Sequence, residues 1–143
     1  KQFLPDEEVT PGRGQVLCTS PIEDLKFKGT FSFDEGYYYF RNIGNRVIFG
    51  GGRNLDFETE TTTEFELNQR IQKQLAFFLE EMILPNNTFT IEQQWSGIMA
   101  FNKQKTPLVK RVSPHMVVGA RLNGMGIALA SKVADDLTKL MME

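Results

Sequence analysis

Val117-Val118-Gly119-Ala120-Arg121-Leu122-Asn123-Gly124-Met125-Gly126-Ile127-Ala128-Leu129-Ala130 joins an apolar, strand-like run to a Gly-x-Gly turn and then to a helical pattern. Beyond the turn the apolar residues Ile127, Ala130, Val133, Ala134, Leu137 and Met141 recur at three- and four-residue steps, which predicts a helix over about 125–142. The glycines let another molecule approach the backbone, and a helix start presents unpaired N–H groups with partial positive charge. Such a turn suits an electron-rich, partly anionic group. A terminal helix docked on a sheet, with glycines serving only the turn, accounts equally well for the spacing.

Upstream, the punctuation is that of an antiparallel sheet. Gln15 to Ser20 reads as a short strand bounded by Pro21. Gly29 to Phe33 and Tyr37 to Arg41 flank Asp34-Glu35-Gly36, a hairpin signal, and Asn42-Ile43-Gly44-Asn45 turns the chain into a buried strand from Arg46 to Gly50. Gly50-Gly51-Gly52 lacks the Gly-Lys-Ser/Thr that follows a phosphate loop, so these glycines are expected to let the chain leave the sheet or pass close to something above it. Thr63 and Glu66 form a capping box, and Leu67, Ile71, Leu75, Phe78 and Met82 continue as a stripe until Pro85, which predicts a helix over about 63–84. From Thr88 the period becomes two: Phe89, Ile91, Gln93 and Trp95 share a face, with a bulge or bend expected at Gly97. Leu108-Val109 and Met116 to Gly119 complete the strands. The fold class expected is α+β, a largely antiparallel sheet with one covering helix and a C-terminal helix. The expected division is 1–113 for the sheet with its helix and 114–143 for the strand, turn and helix.

Composition narrows the function. The chain has 143 residues, a net charge of −2, one cysteine and one histidine. Lys and Arg are scattered and matched by acids, which argues against nucleic acid as a partner. No apolar run reaches the roughly 20 residues of a membrane span, so no membrane partner is expected and the natural location is the cytoplasm. Cys18 alone makes no internal disulfide, and a Cys/His zinc site or any other metal centre is not expected. Lys1 to Gly14, with its acids Asp6-Glu7-Glu8, reads as an extended leading segment, and the absence of an initiating methionine fits a fragment. His115 has no serine or cysteine elbow near it in sequence. Asp135-Asp136 and Glu80-Glu81 sit on predicted helices, where neighbours point apart, as on a solvated face. Tyr37, Tyr39 and Arg41 share one strand face and Tyr38 and Phe40 the other, so one face has the makings of a cavity floor; cross-strand aromatic pairing explains the same residues.

Four blocks in this order resemble the C-terminal half of the flavin-dependent amine and amino-acid oxidases, the D-amino acid oxidase family that includes glycine oxidase. They are Gly14-Gln15-Val16-Leu17 with Thr19 and Pro21; Gly36-Tyr37-Tyr38-Tyr39-Phe40-Arg41 leading to Arg46-Val47-Ile48-Phe49-Gly50-Gly51; Trp95-Ser96-Gly97-Ile98 with Pro107; and Asn123-Gly124-Met125-Gly126-Ile127. The resemblance implies an oxidoreductase that oxidises a C–N bond by hydride transfer to FAD, with Leu122, Asn123, Gly124, Met125, Gly126 and Ile127 at the pyrimidine edge of the flavin. It implies a substrate-domain sheet over the isoalloxazine ring, with Tyr38, Trp95 and Met99 toward the substrate. Tyr38 follows from counting back from Arg46-Val47-Ile48, a register that can slip by one.

The departures are informative. No G-x-G-x-x-G strand–turn–helix is present, so FAD is expected in a parent protein and not to be retained by this chain alone, whose expected partner is the missing N-terminal FAD-binding half. Amino-acid oxidases of the family often carry Arg-Pro after Trp-x-Gly to grip a substrate carboxylate; Met99-Ala100 stands there instead. An amine or N-substituted amino acid is therefore as good a substrate as a simple amino acid. No general base is assigned. Two other readings remain at this stage: a binding domain that kept the fold without flavin, and an interaction module whose apolar face self-associates.

Overall fold

The computed structural model describes Leu4 and residues 9–143. The acid cluster Asp6-Glu7-Glu8 lies outside the described residues. The chain separates into two compact units, Arg13–Ile98 and Met99–Glu143 with the described residues up to Gly12.

The unit Arg13–Ile98 is built on a five-stranded sheet in the order β2-β3-β4-β1-β5. The strands are β1 (Thr10–Thr19), β2 (Thr30–Phe33), β3 (Tyr38–Ile43), β4 (Arg46–Gly51) and β5 (Ile91–Phe101). The predicted meander is present: β2 pairs with β3 and β3 with β4, both antiparallel, and β1 lies antiparallel on the other side of β4. β1 starts at Thr10, so the last part of the predicted leading segment is strand. β5 continues as strand through Gly97, where an added Cβ would meet nothing within 4 Å.

Alternation sorts the sheet into two faces. Leu17, Tyr38, Val47 and Phe49 point to one, where Ile71, Leu75 and Leu79 close the core at 0% exposure each. These three helical residues are spaced by four. They come from α1 (Gln69–Phe78) and the single π-helical turn Leu79–Ile83 that extends it. The wider π turn moves the stripe, so Leu79 and Leu84 are buried while Met82, expected to be inside, is 49% exposed.

The helix begins six residues later than the capping box predicts, at Gln69, and its cap is Asn68, whose side chain accepts from Arg70 N at 3.1 Å. The cause is tertiary. Arg13 and Gln15 on β1 reach into residues 59–66 and consume the groups a helix would use. Arg13 donates to both Glu60 oxygens (3.1 and 2.8 Å), to Glu64 O and to Thr59 O, and Gln15 Nε2 donates to Glu60 Oε2 (3.0 Å) and Glu66 O. Asn68 Nδ2 adds a fourth bond to the Glu60 carboxylate, at 2.9 Å. Gln72 donates to Gln15, and Gln94 to Gln72, which carries the network across α1 to β5. Glu60 is fully buried and Arg13 nearly so. Burial pushes the Glu60 carboxyl up, but hydrogen bonds from Arg13, Gln15 and Asn68 outweigh it and hold the pKa below the ordinary value.

In the unit Met99–Glu143, β6 (Leu108–Ser113) and β7 (Met116–Ala120) form an antiparallel hairpin with a register shift between Arg111 and Ser113. α2 (Gly126–Met142) packs on it. A Cβ on Gly119 would lie 2.7 Å from Leu137 and 2.8 Å from Val133, so the helix sits directly on the bare strand there. Two strands cover only a narrow line of the helix: Val133 is buried, whereas Ile127 is 102% exposed and Met141 64%. The ends of the predicted apolar stripe therefore face outward.

Candidate functional site

The turn before α2 has the geometry its sequence suggested. Asn123 and Gly124 take φ of +51° and +80°, and Met125 N donates to Leu122 O at 2.7 Å, which makes a type I′ turn. Gly124 supplies one positive φ without strain, and Asn123 is among the few side-chain residues that tolerate the other. The first helical bond runs from Leu129 N to Met125 O, so the N–H groups of Gly126, Ile127 and Ala128 precede the ladder, and no side chain caps them. Met125 is 56% exposed. Three donors at the positive end of a 17-residue helix fit an electron-rich edge of a cofactor.

Met99 belongs to the same unit. Its sulfur lies 4.0 Å from where a Cβ on Gly124 would stand, so two residues singled out from sequence are neighbours. Asn102 and Asn123 join them: Asn102 N donates to Asn123 Oδ1 at 2.9 Å, and Asn123 N donates to Ala100 O at 3.2 Å.

The other predicted residues lie in the unit Arg13–Ile98. Tyr38, on β3, is 3% exposed; its ring stacks on Phe33 at 5.0 Å and meets Phe78 edge-on at 5.0 Å. Burial, followed by the charge of Asp34, raises its pKa. Tyr39 points to the opposite face and is 40% exposed. It lies across Gly50, its cross-strand partner, where an added Cβ would come within 2.9 Å of the ring. Desolvation against the sheet raises its pKa too; a phenol is in any case a neutral O–H donor at physiological pH. Trp95 is 40% exposed on β5; β4 and β1 lie between it and the tyrosines, so the sheet does not bring Trp95 and Tyr38 together.

The three glycines are occupied by the protein itself. Gly51 takes φ +123°, a Cβ there would fall 1.9 Å from Tyr37 O, and Gly52 N donates to that same carbonyl at 2.9 Å. They close β4 against the start of β3. The concavities of this unit include an apolar groove of about 400 Å³ lined by Phe27, Phe31, Phe33, Phe40 and Met82, and a mixed one of about 420 Å³ along Glu23–Phe27 and Ile83–Asn87. Neither contains a residue expected to touch substrate. Among the described residues no group of acids, histidines or cysteines could hold a metal, and no helix is long and apolar enough to cross a membrane. The Arg13–Glu60 knot was missed from sequence, because nothing local marks a pair 47 residues apart.

Comparison with known proteins places these features. No curated protein matches the chain. Among solved structures, the L-proline dehydrogenase of P. horikoshii superposes with a TM-score of 0.72 at 19% identity, over 94% of this chain and 36% of that one. An L-amino acid deaminase from Proteus vulgaris, solved with its specific insertion sequence deleted, gives a TM-score of 0.68 at 16% identity, over 99% of this chain and 34% of that one. The fold is thus shared, and the chain spans about a third of the length of these structures. The family model for FAD-dependent oxidoreductases, DAO, matches residues 1–140, and the chain belongs to that family.

Proposed function

We propose that these residues form the substrate-facing sheet and the flavin-contacting turn of an enzyme that oxidises a C–N bond of a small amine or amino acid. The observation that carries this reading is the uncapped start of α2 behind its type I′ turn, in a chain of an FAD-using family. The backbone N–H groups of Gly126, Ile127 and Ala128 would hold the electron-rich edge of the flavin, and the helix end favours the charge that gathers there on reduction. Bound FAD supplies the hydride acceptor; the substrate is left as an imine that water hydrolyses.

The chain's own side chains contribute position. Tyr39 offers a neutral O–H donor on the exposed side of the sheet, while Tyr38 is spent on the aromatic core, so Tyr39 is the tyrosine we assign to the substrate. Trp95 gives an exposed apolar wall on β5. Met99 brings a thioether and no positive charge, which favours a substrate whose recognition does not depend on a carboxylate fork at that position.

The test is anaerobic addition of amines, N-substituted amino acids and simple amino acids to the FAD-loaded full-length protein. Bleaching of the visible flavin band by one of these classes is expected. A protein that binds no flavin overturns the site, and a flavin that none of them bleaches overturns the substrate class.

A further inference from the structure

Asn123 belongs to the turn assigned to the flavin, yet its side chain is wholly engaged with protein. Oδ1 accepts from Asn102 N at 2.9 Å, Nδ2 donates to Arg121 O, and its own backbone N–H reaches Ala100 O at 3.2 Å. The turn is therefore fastened to the end of β5 by two bonds, one through the Asn123 side chain and one through its backbone, and the side chain's other bond ties back to Arg121, at a residue whose φ of +51° asparagine tolerates. Without this side-chain staple, the turn keeps the bond from Met125 N to Leu122 O and the backbone bond from Asn123 N to Ala100 O.

We infer that Asn123 is a positioning residue for the flavin: its side chain holds the Leu122–Met125 turn against β5, so that the first N–H groups of α2 are presented in one fixed direction. The inference rests on the flavin reading of this turn. Fixed dipoles stabilise developing charge because they need no reorganisation when it appears, and a turn free to tilt loses that advantage even with every donor still present.

Asn123→Gly separates the two roles of the residue, since glycine keeps the positive φ and removes the staple. In the FAD-loaded full-length protein this variant is expected to lower the preference for reduced over oxidised flavin about tenfold, the size of one backbone bond to a charged acceptor. For a two-electron couple that is a midpoint about 30 mV more negative. A purely structural role would lower the melting temperature and leave the midpoint and the visible spectrum unchanged, which would overturn the inference. Met125→Glu is the companion variant: Met125 is exposed and outside the staple, and a charge there shifts the midpoint wherever the turn faces the flavin. A shift in Met125→Glu without one in Asn123→Gly refutes the positioning role alone; no shift in either refutes the flavin reading itself. Should Asn123→Gly fail to fold, hydrogen exchange in the unmodified protein decides: Asn102 N–H should be protected like a helical amide, and rapid exchange there overturns the staple.

Discussion

Replacing Glu60 by glutamine tests the central structural claim, that a buried carboxylate holds residues 59–68 in place. Its two oxygens accept four hydrogen bonds, from Arg13 Nε and Nη2, Gln15 Nε2 and Asn68 Nδ2, at 2.8 to 3.1 Å. Every partner is a donor. A glutamine turned either way sets its NH₂ against two of them, so two bonds are lost and a buried guanidinium loses its counter-charge. Hydrogen bonds to charged groups contribute about 1.5–3 kcal/mol each, and breaking a buried ion pair costs about 3–5 kcal/mol. The expected loss is about 4 kcal/mol, from a total of about 5–15. With a urea slope of about 2 kcal/mol per molar, the midpoint should fall by about 2 M. The sign of the pH effect follows from the depressed pKa. The folded pKa of Glu60 lies below the ordinary carboxyl value, so its contribution is complete above the unfolded value and is lost as pH falls through the folded one. The stability curves of the two proteins should therefore converge in acid. A midpoint within about 0.5 M of the unmodified protein at pH 7, or a gap that persists in acid, refutes the reasoning. Arg13→Met combined with Glu60→Leu should recover part of the loss, because no uncompensated charge then remains buried.

Asn68→Ala removes a helix cap and donors to Asp56 and Glu60, and should cost about 1–2 kcal/mol in the same titration, with α1 amides at Arg70 and Ile71 exchanging faster. Gly119→Ala inserts a methyl 2.7–2.8 Å from Leu137 and Val133, and should destabilise α2 by about 1–3 kcal/mol, read as faster exchange along that helix with α1 unchanged. On the proposed reading, Tyr39→Phe in the FAD-loaded full-length protein should raise KM for whichever amine or amino acid bleaches the flavin, with little change in melting temperature, whereas Tyr38→Phe should leave KM unaltered; the reverse pattern would return the substrate role to Tyr38.

What was legible in the sequence was whatever local periodicity controls. The meander from Gly29 to Gly50, the turn at Asn123-Gly124 and the two helices are all present, because alternation and turn chemistry act within a few residues. The start of α1 was not legible. Thr63 and Glu66 have the right spacing for a cap, but Arg13 and Gln15 claim Glu60, Glu64 O and Glu66 O, and tertiary bonds override the local preference. The exposed ends of α2 show the same limit from the other side: a helical period says which residues share a stripe, not how much of it a two-stranded hairpin covers.

The tyrosine run shows what alternation leaves open at the candidate site. Tyr37, Tyr38 and Tyr39 are identical as side chains, and alternation alone says that Tyr38 opposes its neighbours without saying which face is the core. That is decided across the sheet. Tyr38 finds Phe33, Phe49 and Phe78, each within about 6 Å between ring centres, whereas Tyr39 finds Gly50, whose missing Cβ gives its ring a place to lie. The glycine that seemed meant for a bound molecule thus serves a tyrosine first. It follows that filling Gly50 should press both on the Tyr39 ring and on the β1 backbone at Gln15 O, each 2.9 Å from the added methyl, and so disturb the face of the sheet opposite the aromatic core around Tyr38.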